Sequence, residues 1–100
     1  MFAIFTSEVF DDWLTKLADH KAKARIAARL IRAGLGNLGD YKPVEDSMAE
    51  MRIDVGPGYR VYFVRDGANV HVLLGGDKGS QKRDIKRATA MARELKEARR

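Results

Sequence analysis

The sequence contains no cysteine, so no disulfide can staple it and no thiolate zinc site can form. The fold must hold by burial alone, which suits a reducing compartment. Only two prolines occur, and 45% of the residues are hydrophobic, a composition that argues for a folded chain rather than a disordered one. No apolar run is long enough to span a membrane, and the opening MFAIFTSEVF has no basic leader. A soluble, cytoplasmic protein without signal peptide or membrane contact is expected. Repeats, low-complexity tracts and a second linker are also missing, so residues 1–100 are read as a single domain. What the chain does have is positive charge, +5 net with a pI near 9.7. This biases its surface toward phosphate backbones, anionic membranes or acidic proteins without choosing among them.

Phe2–Phe5 is a short apolar run, read as a buried first strand. Thr6 or Ser7 can cap a following helix, Glu8 suits its first turn, and Val9, Trp13, Leu14 and Leu17 make a stripe at helical spacing. Asp19 and His20 interrupt the pattern. A second helix then places Ala22, Ile26, Ala27, Leu30 and Ala33 inward, and Lys21, Lys23, Arg25, Arg29 and Arg32 outward. Gly34, Gly36 and Gly39 mark its end, since glycine tolerates the left-handed backbone that stops a helix. The two helices read as a hairpin lying on a sheet. The polar stretch Gly39–Ser47, with Asp40, Glu45 and Asp46, reads as a solvated loop.

From Glu50 to Ile85 the spacing changes to period two, which predicts a three-stranded antiparallel meander. A three-residue loop at Gly56, Pro57 and Gly58 would set Val55 against Tyr59, Ile53 against Val61, Met51 against Phe63, Asp54 against Arg60 and Arg52 against Tyr62. With a second turn at Asp66 and Gly67, the core face becomes Met51, Ile53, Val55, Tyr59, Val61, Phe63, Val70, Val72 and Leu74. The opposite face carries Arg52, Asp54, Arg60, Tyr62, Val64, His71 and Leu73. That face fits an ordinary solvated surface, where an Asp54–Arg60 pair contributes under about 1 kcal/mol. It equally fits a phosphate site, with Arg52 and Arg60 as two guanidinium forks and Tyr62 placed to stack on a base. Glu50 shares the parity of Arg52 and is either a base or an exposed strand-end carboxylate, and His71 lies on the same face.

Gly75–Gln81, GGDKGSQ, reads as a glycine-rich turn that projects Lys78 and offers backbone amides. A last helix, capped near Ser80 and running to about Glu97, buries Ile85, Ala88, Ala92 and Leu95. Gln81, Lys82 and Arg83 sit in its first turn, where the two cations oppose the helix dipole, a placement that suits an anionic ligand. Arg99 and Arg100 form a basic end.

The order of strand, helical hairpin, meander and final helix, with GPGYRVYF at Gly56–Phe63, LLGGDKGSQKRDI at Leu73–Ile85 and EMRID at Glu50–Asp54, resembles the RelE/ParE superfamily of toxins. Within it the chain is similar to the HigB-like branch, the addiction module killer proteins. The resemblance implies an α+β, RelE-like fold: an antiparallel sheet with an N-terminal strand and helical hairpin on one face, a β-meander and a C-terminal helix. It implies the toxin of a type II toxin–antitoxin pair, held by a helix-turn-helix, HigA-like antitoxin. It also implies an endoribonuclease that cuts mRNA on the ribosome by 2′-hydroxyl attack, leaving a 2′,3′-cyclic phosphate and using neither metal nor cofactor.

By the same resemblance, Arg60 stabilises the phosphorane-like transition state, Lys78 neutralises the scissile phosphate or protonates the leaving oxygen, and Arg52 clamps phosphate. From their positions rather than from the family pattern, Tyr62, Gln81 and Lys82 are candidates to bind substrate and Glu50 or His71 to act as base. The superfamily also includes ParE-like toxins that are not nucleases and inhibit DNA gyrase. A plain nucleic-acid-binding module, which would bind with steep salt dependence and cut nothing, is a third class.

Overall fold

The computed structural model describes residues 1–45 and 47–98. Asp46 of the expected loop and the basic end at Arg99 and Arg100 lie outside the described residues. Five strands form one sheet in the order β1-β5-β4-β3-β2. They are β1 (Ala3–Thr6), β2 (Tyr41–Pro43), β3 (Met48–Ile53), β4 (Tyr59–Asp66) and β5 (Asn69–Asp77). β2 to β5 pair antiparallel, whereas β1 runs parallel to β5. The architecture is therefore α+β with a mixed sheet, not the wholly antiparallel sheet expected. The cause is the helical hairpin, which carries the chain from one edge of the sheet to the other, so that the first strand borders the last. As an edge strand β1 is largely exposed, including Phe5 at 51%, and is not the buried strand its apolar run suggested. Tyr41–Pro43, read as loop, pairs with β3 as an edge strand whose single proline is tolerated there.

One face of the sheet is covered by α1 (Glu8–Lys16) and α2 (His20–Gly34). Ser7 caps α1 by accepting from the Phe10 amide, and its hydroxyl donates to the Leu73 carbonyl, tying the helix start to β5. Asp19, which looked like an interruption, caps α2 by accepting from the Ala22 amide. Phe10, Ala22, Ile26 and Ala33 are buried against Met51, Ile53, Tyr59, Val61, Phe63, Val70 and Val72, with Trp13, Leu14, Leu17 and Leu30 packed around them. Ala27 is exposed instead of inward, being about 100° around the helix from Ile26. Arg29 is half-buried instead of outward, and its guanidinium donates to the carbonyls of Leu38, Asp40 and Arg52.

The second face is not a solvated surface. α3 (Gln81–Ala98) lies across it and closes a second apolar cluster of Met48, Tyr62, Leu73, Leu74 and Ala88, joined by Ile85, Ala92 and Leu95. Leu74 belongs here and not with Val61, because a register shift between Tyr62 and Phe63 sets Tyr62 against Leu74 but Phe63 against Val72. The β3–β4 pairing also differs from expectation. Ile53 opposes Tyr59 and Arg52 opposes Arg60, so residues 54–58 are loop and Asp54 faces no strand partner. Two left-handed glycines, Gly56 and Gly58, allow this wider turn. The shift takes two residues, Asp54 and Val55, from the end of β3 and none from β4, so the division of both strands into two faces is preserved.

Gly75 and Gly76 lie inside β5, not in a turn; their ladder partners are Val61 and Arg60. A Cβ at Gly75 would sit 2.4 Å from the Trp13 ring, and one at Gly76 would sit 1.9 Å from Asp84 Oδ2. The two glycines thus admit α1 on one face and α3 on the other at the same point of the strand. Among the described residues no helix is long and apolar enough to cross a membrane. Gly75→Ala is expected to lower the free energy of unfolding by about 1–3 kcal/mol, the usual cost of overpacking. Urea denaturation followed by Trp13 fluorescence measures it; an unchanged midpoint would mean that the indole does not bear on β5.

Candidate functional site

The site is built on the two central cross-strand rows of the second face. One row runs Lys42, Glu50, Tyr62 and Leu74 across β2 to β5; the next runs Arg52, Arg60 and Gly76. Arg52 and Arg60 are thus direct neighbours, closer than the expected register would have made them, and directly opposed side chains lie roughly 5 Å apart at Cβ. Like charges so placed repel, and a carboxylate offsets them. Glu50 is 0% exposed; its Oε2 lies 3.5 Å from Arg60 Nη1 and its Oε1 lies 4.0 Å from Lys42 Nζ. The Gln81 amide, in the first turn of α3, donates to both Glu50 oxygens at 3.1 Å. An uncompensated carboxylate could not remain there, because burial without partners costs several kcal/mol.

Arg60 keeps only 14% of its side chain exposed. Its Nε and that of Arg52 are buried, with no protein acceptor among the described residues. Buried as they are, these two donors are not open to a ligand; what the arginines can offer one is the partly exposed remainder of each side chain. Lys78 opens a single 3-10 turn, Lys78–Ser80, capped by Asp77. Its amide donates to the Gly58 carbonyl at 2.8 Å, which places the exposed lysine beside the β3–β4 turn, two residues beyond the ladder partner of Arg60. Asp84 is buried and accepts from the Ser80 hydroxyl, holding this turn to α3.

Several sequence-predicted roles change. Tyr62 has no exposed surface and cannot stack on a base. Its hydroxyl is raised well above the ordinary tyrosine pKa, first by burial and then by the charges of Glu50 and Asp84. Glu50 is not an exposed strand-end carboxylate, and no surface of it is open to a substrate hydroxyl. His71 stacks on Phe5 at 5.2 Å between ring centroids. It stands five residues before Gly76 on β5, about 17 Å along the strand at roughly 3.4 Å per residue. Lys82 lies with Arg83 and Lys86 in a shallow basin beside Asp77, not over the arginines. The structure therefore brings Arg52, Arg60, Glu50 and Gln81 together with Lys78 nearby, and leaves His71 and Lys82 apart. Lys42 escaped the sequence reading because β2 did; its only signal was one lysine before a proline. Among the described residues no three metal-ligating side chains converge.

No family model matches the chain. Over 93 residues it is 50% identical to a protein of Haemophilus influenzae described only as uncharacterized, in a match that covers 92% of this chain and 94% of that one.

Two substitutions test this geometry. Glu50→Ala is expected to cost about 3 kcal/mol of stability, the low end of the range for removing one partner of a buried ion pair, since Arg60 retains some solvent. Denaturant melts check this, and a loss under half that size would mean that the arginines do not need the carboxylate. Tyr62→Phe is expected to be neutral or stabilising by up to about 1 kcal/mol, because the hydroxyl has no partner. A tyrosine whose folded pKa is raised contributes stability that is complete below the unfolded value, about 10, and is lost as pH rises toward the folded one. Wild type should thus lose stability above about pH 10 more steeply than Tyr62→Phe; parallel curves would contradict the burial of this hydroxyl.

Proposed function

The chain belongs to the same family as that Haemophilus influenzae protein, and we propose that it is a RelE-like toxin of a type II toxin–antitoxin system. In this reading it is a ribosome-dependent endoribonuclease acting on mRNA, held inactive by a helix-turn-helix, HigA-like antitoxin. Support comes from the residue pattern at Gly56–Phe63 and Leu73–Ile85, and above all from one observation. Arg52 and Arg60 stand directly opposed on adjacent strands, each partly exposed, and the buried carboxylate beside them, Glu50, is already engaged by Arg60, Lys42 and Gln81.

The chemistry follows from those positions. The ribose 2′-oxygen attacks the adjacent phosphorus, the bond from phosphorus to the 5′-oxygen breaks, and a 2′,3′-cyclic phosphate remains. Negative charge accumulates on the non-bridging oxygens, where Arg52 and Arg60 can each donate to one of them. Lys78 carries a proton for the departing 5′-oxygen, and water takes the proton of the 2′-hydroxyl. Glu50 is a positioning residue in this scheme: it fixes Arg60 and does not touch the substrate.

A ParE-like, non-nuclease inhibitor of DNA gyrase is favoured by one specific observation. Neither Glu50, which is buried, nor His71, about 17 Å away along β5, can exchange a proton with a phosphate held by the arginines.

Primer extension on mRNA with translating ribosomes separates the two. The wild type should cut in the ribosomal A site, and Arg60→Ala and Lys78→Ala should each lower cleavage by about 10²–10³-fold, the scale of a lost transition-state donor. Toxicity should fall in parallel. Persistent toxicity in both variants, with gyrase supercoiling inhibited by wild type, would establish the ParE-like reading instead. Binding without any cut, with steep salt dependence, would leave a simple nucleic-acid-binding module.

A further inference from the structure

α2 is apolar on two opposite sides. One side, Ala22, Ile26 and Ala33, is buried against the sheet. The other presents Ala24, Ala27, Ala28, Ile31 and Leu35 to solvent, at spacings of three and four that set them in one stripe. Ile31 is 67% exposed and Leu35 is 69% exposed, more than the exposed aromatics Phe5 and Tyr41. A helix that is apolar on both sides is ordinarily covered on both. Met1, also exposed, lies beside Gly36 and extends the far end of the stripe.

One edge of this stripe is basic: Lys21, Arg25 and Arg32 are exposed along it. Beyond that edge runs a groove between α2 and β3, lined by Arg25, Arg29, Arg32 and Arg52 together with Asp40 and Asp54. The helix itself, HKAKARIAARLIRAG, contains no acidic residue.

We propose that this face of α2 is a docking surface for an acidic amphipathic helix of a partner protein. The partner's apolar side covers Ile31 and Leu35, and its carboxylates meet Arg25 and Arg32. Charge selects this occupant over a second copy of the chain, since an isologous contact would set the same basic edge against itself with no carboxylate on α2 to offset it. Residue size selects it over a membrane surface. Three alanines let a second helix approach to the 8–10 Å typical of packed helices, whereas interfacial helices rely on large Trp, Phe and Leu side chains. The proposal rests on the exposed face of α2 and not on the nuclease reading, so either can fail alone.

The test uses the full chain and two synthetic helical peptides with identical leucine faces, one flanked by glutamates and the other by lysines. By fluorescence anisotropy the glutamate peptide should bind about tenfold or more tightly than the lysine peptide. Ile31→Ser/Leu35→Ser and Arg25→Gln/Arg32→Gln should each weaken it by about tenfold or more, the loss expected of contacts at the centre of an interface. Because all four side chains are exposed, thermal midpoints should stay within a few degrees of wild type, and amide shift changes should map to α2. Equal binding of the two peptides, or full binding by either double variant, overturns the proposal. So does a dimer that Ile31→Ser/Leu35→Ser dissociates, or anionic phospholipid vesicles that bind the chain and displace the peptide.

Discussion

A carboxylate with no exposed surface sits at the junction of four elements, and the arrangement of the second sheet face depends on it. Glu50 belongs to β3, yet its oxygens are approached by Arg60 from β4, Lys42 from β2 and Gln81 from α3. Two arginines on adjacent strands repel each other on an otherwise apolar sheet, and Glu50, paired with Arg60, offsets part of that repulsion. Gln81 is the counterpart of this need on the helix side, for an amide can satisfy both carboxylate oxygens without adding further charge. The first turn of α3 is therefore fixed beside the two arginines, and Asp84 and Ser80 extend the same fixation into the turn that carries Lys78.

Much of this was legible in the chain. Period-two alternation from Met51 to Val72 divided β3, β4 and most of β5 into the correct faces, because one strand's parity survives a paired shift of register. The helix caps were written in Ser7 and, less visibly, in Asp19. What escaped has physical reasons. Turn width at Gly56–Gly58 is set by two left-handed glycines and by the Lys78 amide bonding to Gly58, and neither appears as periodicity. The bulge that turns Leu74 onto the α3 face leaves no compositional mark. Tyr62 and Glu50 looked exposed because parity says which residues share a face, not whether another element covers that face. Gly75 and Gly76 read as turn residues, though their smallness serves the close approach of Trp13 and Asp84 within a strand.

The two faces of α2 and the two faces of the sheet raise the same physical question, namely what an element does with apolar surface that its own neighbours do not cover. On the sheet, α3 gives the answer within the chain. On α2 nothing among the described residues does, and five basic residues without an acidic one leave that helix suited to a partner of opposite charge. An acidic partner of the kind proposed would balance part of the net +5 without requiring that every cation touch nucleic acid. Substrate and partner would then use separate cationic surfaces, joined only where Arg52 borders both.

The central claim is that Arg52 and Arg60 act as one unit on one phosphate. Single-turnover cleavage of ribosome-bound mRNA by Arg52→Ala, Arg60→Ala and the double variant tests it most directly, since groups that serve one transition state give non-additive losses. The account predicts that the double variant is scarcely slower than the worse single one. Losses that multiply, or wild-type protein that leaves ribosome-bound mRNA intact, would contradict it.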